Sequence, residues 1–187
     1  GYHYEVLLGA VDADLGAVVV VIEPYPGEET LPLDERHARA GGFVDGDKLA
    51  DTEAAIDATG FDRVGVVGFC QGGMYAMKSL ASSRVDRAVA FYGMVRVPEQ
   101  WRGGGQGDAI DVVRARADRG DLRLLCIFGT EDPWCPLDQV DEVEAAGATV
   151  VRYEGADHGW AHVPDRENYR PDDAADAWRR AEAFLAG

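Results

Sequence analysis

The sequence predicts an α/β fold, a mostly parallel sheet with helices on both faces. Short aliphatic runs alternate with longer amphipathic stretches along the 187 residues. Such alternation, with helical crossovers between strands, is typical of a parallel sheet covered on both sides. Because domains commonly hold about 100–200 residues, we expect residues 1–187 to form a single domain.

Five runs have the apolar, β-branched character of strands buried on both faces. They are residues 17–22, 63–67, 85–91, 122–128 and 148–153. The first reads AVVVVI without interruption. We expect the strand at 63–67 to lie in the middle of the sheet, because it is apolar on both faces.

Helices are predicted between and around these strands by their apolar spacing. They cover residues 4–15, 45–59, 74–80, 108–119, 138–146 and 172–185. The second should end at Gly60, because glycine commonly stops helices. The long connection 93–120, interrupted by three glycines at 103–105, predicts a surface excursion within the domain.

Charge excludes several classes of partner. The chain has 18 basic and 34 acidic residues, a net charge of −16, and only two lysines, Lys48 and Lys78. Such a surface repels phosphate backbones and anionic lipid, so we expect neither nucleic-acid nor membrane binding. The longest aliphatic run, residues 17–22, is too short for a spanning helix. Adaptation to high salt and an arginine-rich coding bias both fit this composition.

The cysteines do not form a disulfide framework or a zinc site. Cys70, Cys126 and Cys135 are odd in number, and none lies at zinc-ligand spacing. Few cysteines with no disulfide framework are typical of a protein in the reducing cytoplasm. Cys126 lies inside a predicted strand and is expected in the core, whereas Cys135 is expected to be structural, near the residues discussed next.

The strongest local pattern is GFCQGG at residues 68–73, between a predicted strand and a helix. It matches a nucleophile elbow with Cys70 as the nucleophile, the glycines giving room for the tight turn. The following helix N-terminus favours the thiolate, and the backbone amide of Gln71 would face a developing oxyanion. A tight turn with an inert, buried cysteine is the alternative.

An elbow of this kind needs an acid and a histidine after later strands. Residues 129–132 (GTED) follow the fourth predicted strand, and residues 155–159 (GADHG) follow the fifth. The ends of parallel strands meet at one edge, so Cys70, Asp132 and His158 are expected together. Glu131 and Asp138 remain alternatives for the acid.

These segments resemble the dienelactone hydrolase family of the α/β-hydrolase fold. The matching motifs are residues 68–73, 90–93 (AFYG), 129–132, 155–159, 169–171 (YRP) and 177–180 (AWRR). The resemblance implies that Cys70 is the nucleophile, His158 the base and Asp132 the residue that orients it. It implies a hydrolase of small carboxylic esters or lactones, without cofactor or metal, as a monomer or homodimer. A thioesterase or acyl-transferring relative and a non-catalytic binding protein are the alternatives.

Several further residues are candidate substrate contacts. They are Arg36, Arg39, Phe91, Trp134, Trp160 and His162. The two arginines resemble the stretch where the family grips a substrate carboxylate, although a solvated helix face also explains them. Trp134 and Trp160 are expected either to pack in the core or to line a pocket. His162, the alternative to His158 as the base, is expected at the rim of the pocket.

Two of these positions depart from the family. Dienelactone-specific members carry an arginine where His162 stands and a tyrosine where Phe91 stands, which argues against a small dicarboxylate-type lactone. His3 and His37 are expected at the surface. Three features of the family have no counterpart here: its first strands, a motif with a glutamate that controls the charge of the nucleophile, and a second oxyanion amide. We therefore expect about 40 further residues upstream.

Overall fold

A computed structural model describes residues 19–28 and 30–187. By their contacts, these residues fall into two compact units. The first comprises the described residues up to 63 together with 97–107, and the second comprises 64–96 and 108–187. The predicted helix at 4–15, His3, and residues 17 and 18 of the first predicted strand lie outside the described residues.

The first unit is helical in its described part. It contains α1 (Leu33–Arg39), a 3-10 turn (Ala40–Gly42), α2 (Asp45–Thr59) and a second 3-10 turn (Glu99–Trp101). Helix α2 has the predicted bounds and ends at Gly60, whose φ is 73°. The Gln106 side-chain amide donates to the carbonyls of Ala40 at 2.8 Å and Trp101 at 3.1 Å, which joins the second turn to the first.

The second unit holds a parallel sheet and four helices. In chain order these are β1 (Val64–Phe69), α3 (Gln71–Ser79), β2 (Val85–Phe91), α4 (Ala109–Asp118), β3 (Leu124–Gly129), α5 (Leu137–Ala145), β4 (Thr149–Tyr153) and α6 (Pro171–Ala186). The strand order is β1-β2-β3-β4, and every pairing is parallel. The elements predicted after residue 45 are therefore confirmed, with bounds that differ by at most two or three residues at each end.

The register of the sheet aligns the carboxyl ends of its strands. Phe69 pairs with Phe91, Phe91 with Ile127, and Gly129 with Tyr153. All six residues of β3 are buried. The loops that follow β1, β2, β3 and β4 consequently begin at one edge of the sheet, which is where open α/β sheets carry their sites.

A buried arginine ties α4 to the segment between α3 and the start of β2. Arg116 is 2% exposed, and its guanidinium donates to the carbonyls of Leu80, Ser82 and Val85, each at 3.0 Å. These carbonyls follow the last residue of α3, so no backbone N–H of that helix bonds to them. The guanidinium of Arg116 supplies the hydrogen-bond donors instead.

Two sequence predictions about the fold were wrong. Residues 19–22 form no strand, and Val20 is 40% exposed, so the run is not buried on both faces. Strand β1 lies at the edge of the sheet that the described residues form; its central place was predicted for a sheet with further strands and stays a prediction. Its apolar faces reflect cover by helices: α3 packs on it, and Trp178 of α6 contacts Phe69. The predicted surface excursion at 93–120 carries buried side chains such as Trp101 and Ile110.

Among the described residues, no helix is both long and apolar enough to cross a membrane.

Candidate active site

Cys70 occupies the sharp turn between β1 and α3. Its backbone has φ 54° and ψ −122°, a left-handed conformation that side-chain-bearing residues rarely adopt. Its N–H donates to the carbonyl of Phe91 at 3.0 Å, and its own carbonyl accepts the N–H of Met74 at 3.0 Å. Both neighbours therefore hold the strained turn, and Cys70 stands at the N-terminus of α3 as predicted.

Two of the predicted glycines are required by close backbone approach. A Cβ on Gly68 would lie 2.0 Å from the carbonyl oxygen of Gly72, and one on Gly73 would lie 2.8 Å from both Gly93 Cα and the Phe91 carbonyl oxygen. No other residue type fits either position without moving the backbone. The turn around Cys70 thus depends on the glycines that the sequence pattern singled out.

Asp132 and His158 meet beyond the ends of β3 and β4. Oδ2 of Asp132 lies 2.8 Å from Nδ1 of His158, and Oδ1 accepts the backbone N–H of Trp134 at 2.8 Å. The Asp132 side chain is fully buried and that of His158 is 16% exposed. The alternative acids, Glu131 and Asp138, are both exposed.

The environment of His158 favours its protonated form. Burial by itself would lower the pKa, but the hydrogen bond to Asp132 and the interaction with Cys70 outweigh it and raise the pKa of His158 to about 9. Nε2, the nitrogen that does not face Asp132, is buried without a hydrogen-bond partner among the described residues.

Backbone contacts fix the two loops against each other. The N–H of Thr130 donates to the carbonyl of Tyr153, and that of Glu131 donates to Ala156, both at 3.0 Å. The hydroxyl of Thr130 accepts the N–H of Gly155 at 2.8 Å. The loops carrying the acid and the histidine are joined at three points, which sets the distance between the two side chains.

Tyr92 belongs to this region, although no role was predicted for it from the sequence. It directly follows β2, has φ 38°, and its hydroxyl is hydrogen-bonded to Nδ1 of His162. Its ring centroid lies 5.2 Å from that of His158. Burial first, and then the charge of Cys70, raise the pKa of Tyr92 well above its usual range. Its position at the end of a predicted strand, within the motif at 90–93, is the sequence feature that could have predicted this role.

The other predicted contacts are divided between core and surface. Phe91 and Trp160 are fully buried, Phe91 stacking on Phe69 with centroids 4.6 Å apart and Trp160 packing on Tyr153 at 4.5 Å. Trp134 is 39% exposed, and its ring lies 6.2 Å from His158. Trp134 and His162 are thus the predicted contacts found beside the residues described above.

The two arginines lie in the first unit. Arg36 is 4% exposed, with its guanidinium carbon 5.9 Å from the ring centre of Tyr25, so the alternative of a solvated helix face does not explain this residue. Arg39 is half-exposed and forms an ion pair with Glu28. His37, expected at the surface, is half-buried, 5.7 Å from the Trp101 ring.

The remaining cysteines differ in their surroundings. Cys126 is fully buried in β3 as predicted, and burial raises the pKa of its thiol far above its usual range. Cys135 lies beside the acid: a carboxylate oxygen of Asp132, the sulfur of Cys135 and a ring nitrogen of His158 are all within 4.8 Å of one another. Donor atoms so close could reach a common metal ion, but the Asp132–His158 hydrogen bond already accounts for two of them.

Several known proteins are similar to this chain. The family model described as the dienelactone hydrolase family matches residues 16–187. A Synechocystis sp. protein named as a carboxymethylenebutenolidase is 30% identical over 130 residues, covering 66% of this chain and 50% of that protein. A Bradyrhizobium sp. protein named as a 2-oxo-3-(5-oxofuran-2-ylidene)propanoate lactonase is 26% identical over 197 residues, covering 98% and 77%.

A solved structure has the same fold. A Klebsiella pneumoniae crystal structure described as a dienelactone hydrolase superposes with a TM-score of 0.65 at 25% identity, covering 76% of this chain and 62% of that one. This chain thus spans half the length of the Synechocystis protein and under two thirds of the Klebsiella chain. The fold is that of the α/β hydrolases, and the chain belongs to the dienelactone hydrolase family.

Proposed function

We propose that this chain carries the catalytic centre of a hydrolase that cleaves small carboxylic esters or lactones through Cys70, His158 and Asp132. The supporting observation is the 2.8 Å hydrogen bond between His158 and Asp132, with Cys70 in a strained turn directly after β1, at the edge of the sheet where the strands carrying the other two loops also end. A nucleophile, a base and a residue that orients the base are the three parts that covalent acyl transfer needs.

In the first half-reaction, the sulfur of Cys70 attacks the carbonyl carbon and its proton resides on His158. The carbonyl oxygen becomes an oxyanion, which the backbone N–H of Gln71 stabilises at the N-terminus of α3. Collapse of this intermediate breaks the bond to the leaving oxygen, which takes the proton from His158. The product is a thioester on Cys70; with a lactone, the released hydroxyl stays attached to the acyl group.

In the second half-reaction, His158 takes a proton from water as the water attacks the thioester. The carbon–sulfur bond then breaks, the acid is released, and the proton returns to the Cys70–His158 pair. Asp132 keeps Nδ1 of the imidazole protonated, so that Nε2 is the atom that exchanges protons. An ester suits this cysteine because its leaving oxygen departs more readily than an amide nitrogen.

A small neutral or weakly charged substrate fits the composition of the chain. The net charge of −16 disfavours polyanionic partners. The neighbourhood of His158 offers Trp134 and the Tyr92–His162 pair as apolar and polar contacts for an acyl group.

Hydrolysis of p-nitrophenyl acetate tests this proposal. We expect Cys70→Ala to lower turnover by about 10³-fold or more, while Cys126→Ala, the matched control at a fully buried cysteine, keeps most of it. We expect His158→Asn to accumulate the acyl-enzyme, visible by intact-protein mass spectrometry, because deacylation needs the base. Full activity in Cys70→Ala contradicts the proposal, and a panel of esters and lactones then ranks substrates for the active form.

A further inference from the structure

We propose that Cys135 is a positioning residue whose thiol donates a hydrogen bond to the buried carboxylate of Asp132 and so holds it toward His158. This inference rests on the proposed function, in which Asp132 orients the base. The sulfur of Cys135, a carboxylate oxygen of Asp132 and a ring nitrogen of His158 lie within 4.8 Å of one another. Cys135 is 1% exposed and forms no disulfide.

A four-residue turn brings the two side chains together. The N–H of Cys135 donates to the backbone carbonyl of Asp132 at 3.3 Å, and Pro133 follows Asp132 directly, the position at which proline favours such turns. The carboxylate of Asp132 in turn accepts the N–H of Trp134 at 2.8 Å. The fourth residue of the turn therefore returns beside the first, and here that residue is a cysteine.

The carboxylate needs further donors because water cannot reach it. Its side chain is fully buried, and a carboxylate can accept about four hydrogen bonds. His158 and the Trp134 amide supply two. A buried carboxylate with too few donors loses stability or turns away from its partner. A thiol at this position adds a donor without adding a charge.

The protonation of Cys135 agrees with a donor role. Burial, followed by the negative charge of Asp132, raises the pKa of the Cys135 thiol well above its usual range. A raised pKa favours the protonated sulfur, and only a protonated sulfur can donate. Cys126, equally buried, has the Met77 sulfur 4.0 Å away instead of a carboxylate.

Three variants test this role: Cys135→Ala removes the donor, Cys135→Ser keeps one, and Cys126→Ala removes a buried thiol that faces no carboxylate. We expect Cys135→Ala to lower kcat by about fivefold with KM unchanged, and to move the acidic limb of its pH profile upward, because a carboxylate that loses a donor protonates more readily. We expect Cys135→Ser to restore both. Cys126→Ala should lower Tm without moving the pH profile.

A measurement on the resting protein separates this inference from the proposed function. The Nδ1 proton of His158 gives a far-downfield NMR signal when it is hydrogen-bonded to a carboxylate. We expect this signal to shift or broaden in Cys135→Ala but not in Cys135→Ser or Cys126→Ala, whether or not the protein hydrolyses esters. If Cys135→Ala does not fold, Cys135→Val, which fills the space without donating, replaces it.

Two outcomes overturn the inference. One is a Cys135→Ala or Cys135→Val variant with the kcat, pH profile and Nδ1 signal of the unmodified protein. The other is a Cys135→Ser variant as impaired as Cys135→Ala, because that result assigns Cys135 to packing alone. Activity retained in Cys70→Ala, by contrast, contradicts the proposed function and leaves the Nδ1 signal as a test of the Cys135–Asp132 contact.

Discussion

The side-chain amide of Asn168 donates a hydrogen bond of 2.6 Å to the backbone carbonyl of His158. The N–H of Arg170 donates to the carbonyl of Trp160 at 3.1 Å, so the segment before α6 is fastened twice to the loop that carries His158. These bonds add to the contacts that the start of the same loop makes with residues 130 and 131.

Loss of the Asn168 contact should reduce turnover more than stability. We expect Asn168→Ala to lower kcat by about fivefold, because a loosened His158 spends less time aligned with Asp132. Steady-state kinetics and thermal unfolding measure the two effects. Glu167→Ala, at the exposed neighbouring position, should change neither; an equal loss there contradicts a specific role for Asn168.

Asp132→Asn should leave the fold intact and lower turnover by about 10²–10⁴-fold, because an amide no longer keeps the imidazole in the required tautomer. Circular dichroism and ester hydrolysis test the two parts. Asp138→Asn is the matched control, since Asp138 is exposed in the first turn of α5. If the change at Asp138 is the damaging one, the assignment of the acid is wrong.

Alkylation should distinguish the cysteines. We expect iodoacetamide to label Cys70 faster than Cys126 in the native protein, because Cys70 is partly exposed at a helix N-terminus. Burial of Cys126 raises its pKa and blocks access to it. Peptide mapping over time measures both rates, and unfolding in urea should equalise them. Faster labelling of Cys126 in the native state is the contrary result.

Stability should fall as the pH rises through the titration of His158. Its pKa in the folded protein, about 9, lies above the ordinary value of 6.5, so the folded state binds this proton more tightly than the unfolded state. The resulting stabilisation is complete below about pH 6.5, is lost as the pH rises through 9, and amounts to at most about 3 kcal/mol. Urea unfolding between pH 6 and 10 measures it, and the same slope in His158→Asn contradicts this origin.

Gly73→Ala should destabilise the protein by about 1–3 kcal/mol, because the added Cβ meets the backbone of residues 91 and 93. Gly46→Ala, also helical but with nothing within 4 Å of the added Cβ, should be neutral or slightly stabilising. Chemical unfolding compares the two. Equal effects of both substitutions contradict the close approach of α3 to the end of β2.

The sequence predicted most of the second unit because its signals are local. Strand β2 has the predicted bounds, and helix α2 of the first unit ends at the predicted Gly60. The periodicity of apolar residues sets such elements, and glycine sets their ends. The positions of a cysteine, an acid and a histidine after successive strands could also be predicted from the sequence, because all parallel strands end at the same edge of the sheet.

By itself, then, the sequence determined the α/β alternation, the glycine-lined turn at Cys70 and the placement of Asp132 and His158 after two strands. Only the tertiary structure decided that β1 is an edge strand of the described sheet, that Asp132 rather than Glu131 or Asp138 meets His158, and that Tyr92 bonds to His162. The physical reason is separation along the chain. These partners stand 26 and 70 residues apart, and a local pattern carries no information about which distant side chain will complete a hydrogen bond.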